Sequence, residues 1–361
     1  MRFYVNDKEF EKNLDFNDII NIKSSNKDYK VIYSDKNLDK LVNEIYKKDD
    51  FILIDRNIYN LSPFTFNDLL DNILIFDAIE ENKNIENVLL LIDILLDKKF
   101  TKNNKILVIG GGITQEIGGF TSAIYKRGLN WVLIPTTILS MTDSCIGSKV
   151  SINRKSKNML GLFVAPNEIY ISDYFLNSLN IDDINSGLGE ALKLSLIGGD
   201  ETYLYFKNKL SDKDYLNIIK MASLVKKEII EYDEFENYER KVLNYGHTIG
   251  HALESTSKFF IPHGIAIMIG MYIKNELFYE GKYKEINSII LELVDKKFFE
   301  VEFNYNEFIN HVLSDKKNKG DNIFFILLNE IGKSIFIYKK KEEIEYNIKI
   351  ILKRLFKNYT D

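Results

Sequence analysis

The chain has 361 residues, 45% apolar and 28% charged, with a net charge of −5, the balance of a globular protein too long for one ordinary core. That charge argues against a nucleic-acid partner, and no stretch approaches the roughly eighteen uninterrupted apolar residues of a membrane span. Cys145 is the single cysteine, which excludes a disulfide framework and a thiolate metal cage and fits a reducing cytoplasm; "MRFYVNDKEFEKN" has no basic-then-apolar leader, so no signal peptide is expected.

In chain order, "YKVIY" (29–33) and "DFILID" (50–55) have the apolar, β-branched run of strands, and "NIENVLLLIDILLDKKF" (84–100) the spacing of an amphipathic helix. "NKILVIGGG" (104–112) predicts a buried strand ending in glycines, "EIGGFTSAIYKRG" (116–128) a helix, and "NWVLIPTT" (130–137) the next strand. This alternation is that of a parallel α/β sheet. Beyond about residue 180 the apolar spacing turns helical, in "GLGEALKLSLIGG", "YLNIIKMASLVKKEIIEYDE", "VLNYGHTIGHALESTSKFF", "GIAIMIGMYIKNELFYE" and "NSIILELVDKKFF". Two domains are therefore expected: an α/β domain over 1–178 and a mainly helical domain over 179–361. No linker rich in Pro, Gly or Ser separates them, so the two are expected to pack closely with a cleft between.

Two groups of residues suggest chemistry. Gly110, Gly111 and Gly112 end a strand before a helix, a turn whose backbone N–H groups suit a pyrophosphate, although the spacing is not G-x-G-x-x-G. Asp55 and Asn57 also fall at a strand end, where an acid can bond ribose hydroxyls. Three of the chain's four histidines, His247, His251 and His263, lie within seventeen residues. His247 and His251 share a helix face by their four-residue spacing, and His263 follows a proline. With no thiolates to hand, imidazole plus carboxylate is the zinc-like option, and either Glu190 or Glu254 could supply the carboxylate.

The segments "GGGITQEIGGFTSAIYKRG", "IPTTILSMTDSCIGSKVSIN", "KNMLGLF", "GLGEALK", "RKVLNYGHTIGHALE", "PHGIAIMIGM" and "SDKKNKGDNIFFILL" run in one order between about residues 50 and 335. Taken together they resemble the 3-dehydroquinate synthase family of sugar phosphate cyclases. The resemblance implies an N-terminal NAD-binding α/β domain, a mainly α-helical C-terminal metal-binding domain, and a homodimer. It implies zinc (or cobalt) held by Glu190, His247 and His263, with His251 facing substrate. The implied NAD contacts are Asp55, Asn57, Glu80, Lys83, Gly110, Gly111, Gly112, Glu116, Thr136, Thr137, Asp143, Lys149, Lys157, Phe175, Leu176, Asn177 and Ser178. The implied substrate contacts are Arg127, Asp143, Lys149, Asn158, Lys193, Lys226, Arg240, Asn244 and His251, joined by Lys316 or Lys317.

The reaction so implied converts 3-deoxy-D-arabino-heptulosonate 7-phosphate to 3-dehydroquinate and phosphate, a step of the shikimate pathway. NAD removes hydride at C5, phosphate leaves by elimination after loss of the C6 proton, hydride returns, and an intramolecular aldol step closes the ring. Three departures from the family pattern stand near the implied site: Glu116 where aspartate is usual, Ser148 where glycine is usual, and one residue fewer between Lys149 and Lys157. Alternatives are 2-deoxy-scyllo-inosose synthase, whose substrate glucose 6-phosphate lacks a carboxylate, a metal-dependent alcohol dehydrogenase, and a non-catalytic relative that kept the fold.

Overall fold

The apolar strand runs do assemble as a sheet buried on both faces. The computed structural model describes residues 1–360; Asp361, the last residue of the expected second domain, lies outside them. The chain divides into two compact units, one of residues 15–179 and 214–235, the other of residues 1–14, 180–213 and 236–361.

The first unit is built on a seven-stranded sheet in the order Ile19–Ile22, Tyr29–Ser34, Glu168–Ser172, Asn130–Pro135, Lys105–Gly110, Phe51–Asp55, Ile73–Phe76. All pairings are parallel except that of the edge strand Ile19–Ile22, which runs antiparallel to its neighbour. Phe51 to Ile54, Ile106 to Ile109 and Trp131 to Ile134 are all buried. Continuous apolar runs of this kind belong to parallel strands covered on both sides, where alternation is not needed. From Phe51–Asp55 the chain moves outward to Ile73–Phe76, then crosses back to Lys105–Gly110 on the other side. The sheet's switch point thus falls between the ends marked by Asp55 and Gly110, the place where such sheets bind ligands. The helix predicted from residue 116 starts earlier, at Gly112, and ends at Ile124 before a short 3-10 turn, Tyr125–Arg127. The glycine turn is correspondingly tighter than the sequence predicts.

The second unit holds the helices Ile181–Ile197, Asp200–Ser211, His247–Thr256, His263–Tyr279, Lys284–Leu293, Tyr305–Leu313 and Lys341–Leu355. It also holds a four-stranded sheet that helical spacing does not reveal, Asn322–Glu330, Lys333–Lys340, Arg2–Val5 and Lys8–Glu11. Residues 1–14 join this unit because Tyr4 and Val5 pair in parallel with Lys333 and Ser334. Helix Tyr215–Tyr232 belongs to the first unit, where Lys220 Nζ bonds Asp18 at 2.7 Å. Among the described residues no helix is long and apolar enough to cross a membrane.

Close approach of three helices shapes the second unit. A Cβ on Gly264 would lie 1.7 Å from the Ser186 carbonyl oxygen, and one on Gly189 would lie 2.4 Å from the Gly264 oxygen. Gly246 adopts φ +88 immediately before helix His247–Thr256, and a Cβ there would meet the Ile267 oxygen at 2.8 Å. Helices Ile181–Ile197 and His247–Thr256 therefore both touch His263–Tyr279 backbone to backbone. Gly264→Ala is expected to lower unfolding free energy in chemical denaturation by about 3 kcal/mol, because backbone cannot step aside as a side chain can. Gly161→Ala, whose Cβ would meet nothing closer than 3.6 Å, should stay within about 0.5 kcal/mol.

Candidate functional site

Each glycine at these contacts has an ionisable neighbour: Glu190 follows Gly189, His247 follows Gly246, and His263 precedes Gly264. The packing brings the three together. Glu190 is 0% exposed. Its Oε2 pairs with Lys193 Nζ, while its Oε1 is buried with no hydrogen-bond partner among the described residues. That orphaned oxygen stands 3.5 Å from His263 Nε2 and 3.7 Å from His247 Nε2. Both gaps exceed a hydrogen bond. They match the separation of about 3.4 Å expected of two ligands bound to one ion by bonds of about 2.1 Å at tetrahedral angles.

The far side of each ring is also engaged. His247 Nδ1 lies 3.2 Å from the Tyr245 carbonyl oxygen, and His263 Nδ1 lies 3.1 Å from Glu254 Oε2. A carbonyl oxygen only accepts, so His247 Nδ1 carries the proton and Nε2 presents its lone pair to Glu190. Glu254, one of the two carboxylates left open by spacing, is placed as the outer partner of a histidine, an arrangement characteristic of metal sites. Tyr245 was not foreseen, because a backbone acceptor leaves no signal in residue type. The residues present thus fit a divalent ion.

His251 is differently held. Its ring centroid is 5.0 Å from that of His247 and 5.7 Å from that of His263, so the three histidines could reach one ion, with donor atoms all within 4.8 Å. Its side chain is 50% exposed, however, and its Nε2 is 4.0 Å from Glu254 Oε2, beyond hydrogen bonding. Burial and the charge of Lys193 push the His247 pKa well below the usual value, keeping that imidazole neutral. For His263 desolvation opposes the charge, but Glu254 and Glu190 outweigh it and raise the pKa to about 10.

At the sheet's switch point Asp55 caps helix Arg56–Leu61, its carboxylate accepting from the Asn57 N–H at 2.7 Å; burial raises its pKa. A Cβ on Gly110 would meet the Thr114 side chain at 2.7 Å and Asp55 Cβ at 3.1 Å, so glycine lets the two strand ends close. Helix Gly112–Ile124 begins with no side-chain cap, which leaves its first N–H groups for an anion. The Thr136 N–H donates to the Gly110 carbonyl at 3.1 Å, and a Cβ on Gly111 would lie 3.3 Å from Thr137 Cγ2. Asp55, Asn57, Gly110–Gly112, Thr136 and Thr137 are therefore neighbours. Phe175, Leu176, Asn177 and Ser178 form a 3-10 turn after strand Glu168–Ser172; the Phe175 ring is fully buried, so only its backbone is available to a ligand.

A second cluster surrounds Glu116. Burial raises its pKa against the attraction of Lys83, with which it pairs, and Ser151 Oγ donates to it at 2.9 Å. Lys83 also bonds Asn158 Oδ1 at 2.5 Å, and Asn153 Nδ2 donates to Glu80 Oε1 at 2.8 Å. These contacts tie Glu80, Lys83, Glu116 and Asn158 to the hairpin Lys149–Arg154 and Ser156–Phe163, on which Lys149 and Lys157 are exposed. Ser148 adopts φ +63, a conformation glycine takes without strain. Asp143 accepts from Lys226 Nζ at 2.6 Å, and Arg127 is exposed with φ +64. In the other unit Lys193 and Arg240 are buried, Asn244 Nδ2 bonds Glu236, Lys317 pairs with Asp315 at 2.8 Å, and Lys316 is exposed.

Residues 73–186 match the 3-dehydroquinate synthase N-terminal family, and residues 187–318 the 3-dehydroquinate synthase C-terminal family. This chain belongs to the 3-dehydroquinate synthase family. A 3-dehydroquinate synthase of Pelagibacter ubique is 35% identical, covering 93% of this chain and 98% of that protein. One from Clostridium tetani is 36% identical, covering 87% and 90%. Among solved structures, a 2-deoxy-scyllo-inosose synthase complexed with carbaglucose-6-phosphate, NAD+ and Co2+ superposes with a TM-score of 0.78 at 21% identity, over 92% of this chain and 99% of that one. Identity that low shows a shared fold.

Since His263 must shed its Nε2 proton before that atom can bind an ion, while His247 is already neutral, metal affinity should rise about tenfold per pH unit between pH 7 and 8, with about one proton released per ion. Calorimetry in two buffers of different ionisation enthalpy measures this. Affinity independent of pH would contradict the assignment.

Proposed function

We propose that this chain is a 3-dehydroquinate synthase: a phosphate-eliminating carbon–oxygen lyase that converts 3-deoxy-D-arabino-heptulosonate 7-phosphate to 3-dehydroquinate with NAD and zinc or cobalt. The observation that carries the reading is the unpartnered Glu190 oxygen facing two oriented imidazoles, in a chain whose relatives of that name align over nearly its whole length. When bound, the metal lowers the pKa of a coordinated substrate hydroxyl and NAD accepts and returns a hydride.

The chain's own residues bind, orient and balance charge. Glu190, His247 and His263 hold the ion, and Lys193 keeps the second Glu190 oxygen occupied so that Oε1 faces the metal. Asp55 and Asn57 bond ribose hydroxyls, and Gly110–Gly112 offer N–H groups to the pyrophosphate. Thr136, Thr137, Glu80, Lys83, Glu116, Lys157 and the turn Phe175–Ser178 complete the cofactor contacts. Arg127, Lys149, Lys193, Lys226, Arg240 and Lys316 or Lys317 balance the substrate's phosphate and carboxylate. Asp143 steers Lys226, and Asn158, Asn244 and His251 orient the substrate. The substrate's own phosphate takes the C6 proton, so no dedicated protein base is required. In this reading the α/β domain expected over 1–178, without its first fourteen residues and with helix Tyr215–Tyr232 added, carries the cofactor, and the remainder of 179–361 carries the metal. The enzyme works as a cytoplasmic homodimer in aromatic amino acid biosynthesis.

Arg240, Asn244 and the Lys316–Lys317 pair favour a substrate with a carboxylate over glucose 6-phosphate. Protein, NAD, zinc and the heptulosonate phosphate should release phosphate without lasting NADH absorbance. Release from glucose 6-phosphate alone would move the assignment to inosose formation, and NADH accumulating without phosphate would indicate a dehydrogenase. In the same assay His251→Ala should retain its metal and lose about 10²-fold in rate.

A further inference from the structure

Lys274 has no part in the chemistry above, yet it is 2% exposed in helix His263–Tyr279. Among the described residues no carboxylate pairs with it. Its Nζ donates to the Ile326 carbonyl at 2.6 Å and stands 3.9 Å from the centroid of the Tyr245 ring. An amine offers N–H to a ring face and to a carbonyl in either protonation state. Burial pushes its pKa well below the usual lysine range. A buried amine with one carbonyl and one ring for company is an expensive way to fill space, because an apolar side chain of equal length would fill it without desolvation. Stability alone does not account for a lysine there.

What it touches supplies a reason. Tyr245 is 1% exposed and is held at its far end by a hydrogen bond from its OH to Asn275 Oδ1 at 2.9 Å. Asn275 in turn donates to Asn287 Oδ1 at 2.9 Å. The carbonyl of Tyr245 is the acceptor facing His247 Nδ1. The next residue, Gly246 at φ +88, has no side chain with which to hold that peptide. Backbone bonds fix this peptide on either side, from the Tyr245 N–H to the Val242 carbonyl and from the Gly250 N–H to the Gly246 carbonyl, each 2.9 Å, and the anchored Tyr245 ring is the side-chain hold that adds to them. Lys274 further joins that ring to strand Asn322–Glu330, which also receives a hydrogen bond from Thr248 Oγ1, on the His247 helix, at the Phe324 carbonyl (3.2 Å).

We propose that Lys274 is a positioning residue for the metal site: by clamping the Tyr245 ring it aims the Tyr245 carbonyl at His247 Nδ1 and keeps His247 Nε2 turned to Glu190. This rests on the reading of Glu190, His247 and His263 as metal ligands.

The test is zinc affinity of the metal-free full chain, measured by competition with a chromophoric chelator, alongside its melting temperature and its NAD affinity. Lys274→Met should bind zinc about tenfold more weakly while melting at the same or a higher temperature and binding NAD unchanged. A merely structural lysine would lower melting temperature and leave zinc affinity alone. Lys274→Gln keeps a donor for the Ile326 carbonyl and serves if Lys274→Met does not fold, with the same expected result. Wild-type binding matched by the variant overturns this inference alone. A wild-type chain that binds no zinc overturns the metal reading and this inference with it.

Discussion

Backbone contact between three helices is the constraint on which the proposed metal centre depends. Ordinary helices pack 8–10 Å apart because side chains separate them. Gly189 and Gly264 remove the separation on one side, and Gly246 and Gly270 on the other, where a Cβ on Gly270 would lie 2.4 Å from the Gly246 oxygen. The proposed ligands sit one residue from those contacts, so their Cα atoms are set by backbone packing. Preorganisation here comes from rigid elements, not from loops.

That arrangement buries charge, and the charges have partners. An isolated carboxylate as deep as Glu190 would cost several kcal/mol, but Lys193 occupies one of its oxygens, and the other faces the Nε2 atoms of His263 and His247 at 3.5 and 3.7 Å. Glu254 steadies His263 from behind. The α/β unit makes less use of burial: its sheet supplies strand ends, one uncapped helix start and a glycine turn. In the proposed reading, partial charges of the backbone serve a pyrophosphate there as full charges serve the ion.

Much of this was legible in the residues. Unbroken apolar runs gave the parallel strands, and the crowding of three scarce histidines pointed to a metal. Spacing could not divide those histidines, because His247 and His251 share a helix face and differ only in what lies behind them: a carbonyl for the first, solvent for the second. Nor could it separate Glu190 from Glu254, because their places, one beside the Gly264 contact and the other behind His263, depend on helix packing. The parallel pairing of Tyr4 and Val5 with residues over three hundred positions away leaves no local pattern. Helix Tyr215–Tyr232 likewise reads as one more helix of the second half, although its lysines bond Asp18 and Asp143 in the first unit.

The central claim concerns which atoms bind the ion, and an anomalous-scattering map at the zinc edge from crystals of the zinc-loaded protein tests it directly. The account predicts a single strong peak about 2.0–2.2 Å from Glu190 Oε1, His247 Nε2 and His263 Nε2, with His251 outside coordination distance. A peak bound by all three histidines, with Glu190 still paired only to Lys193, would contradict it.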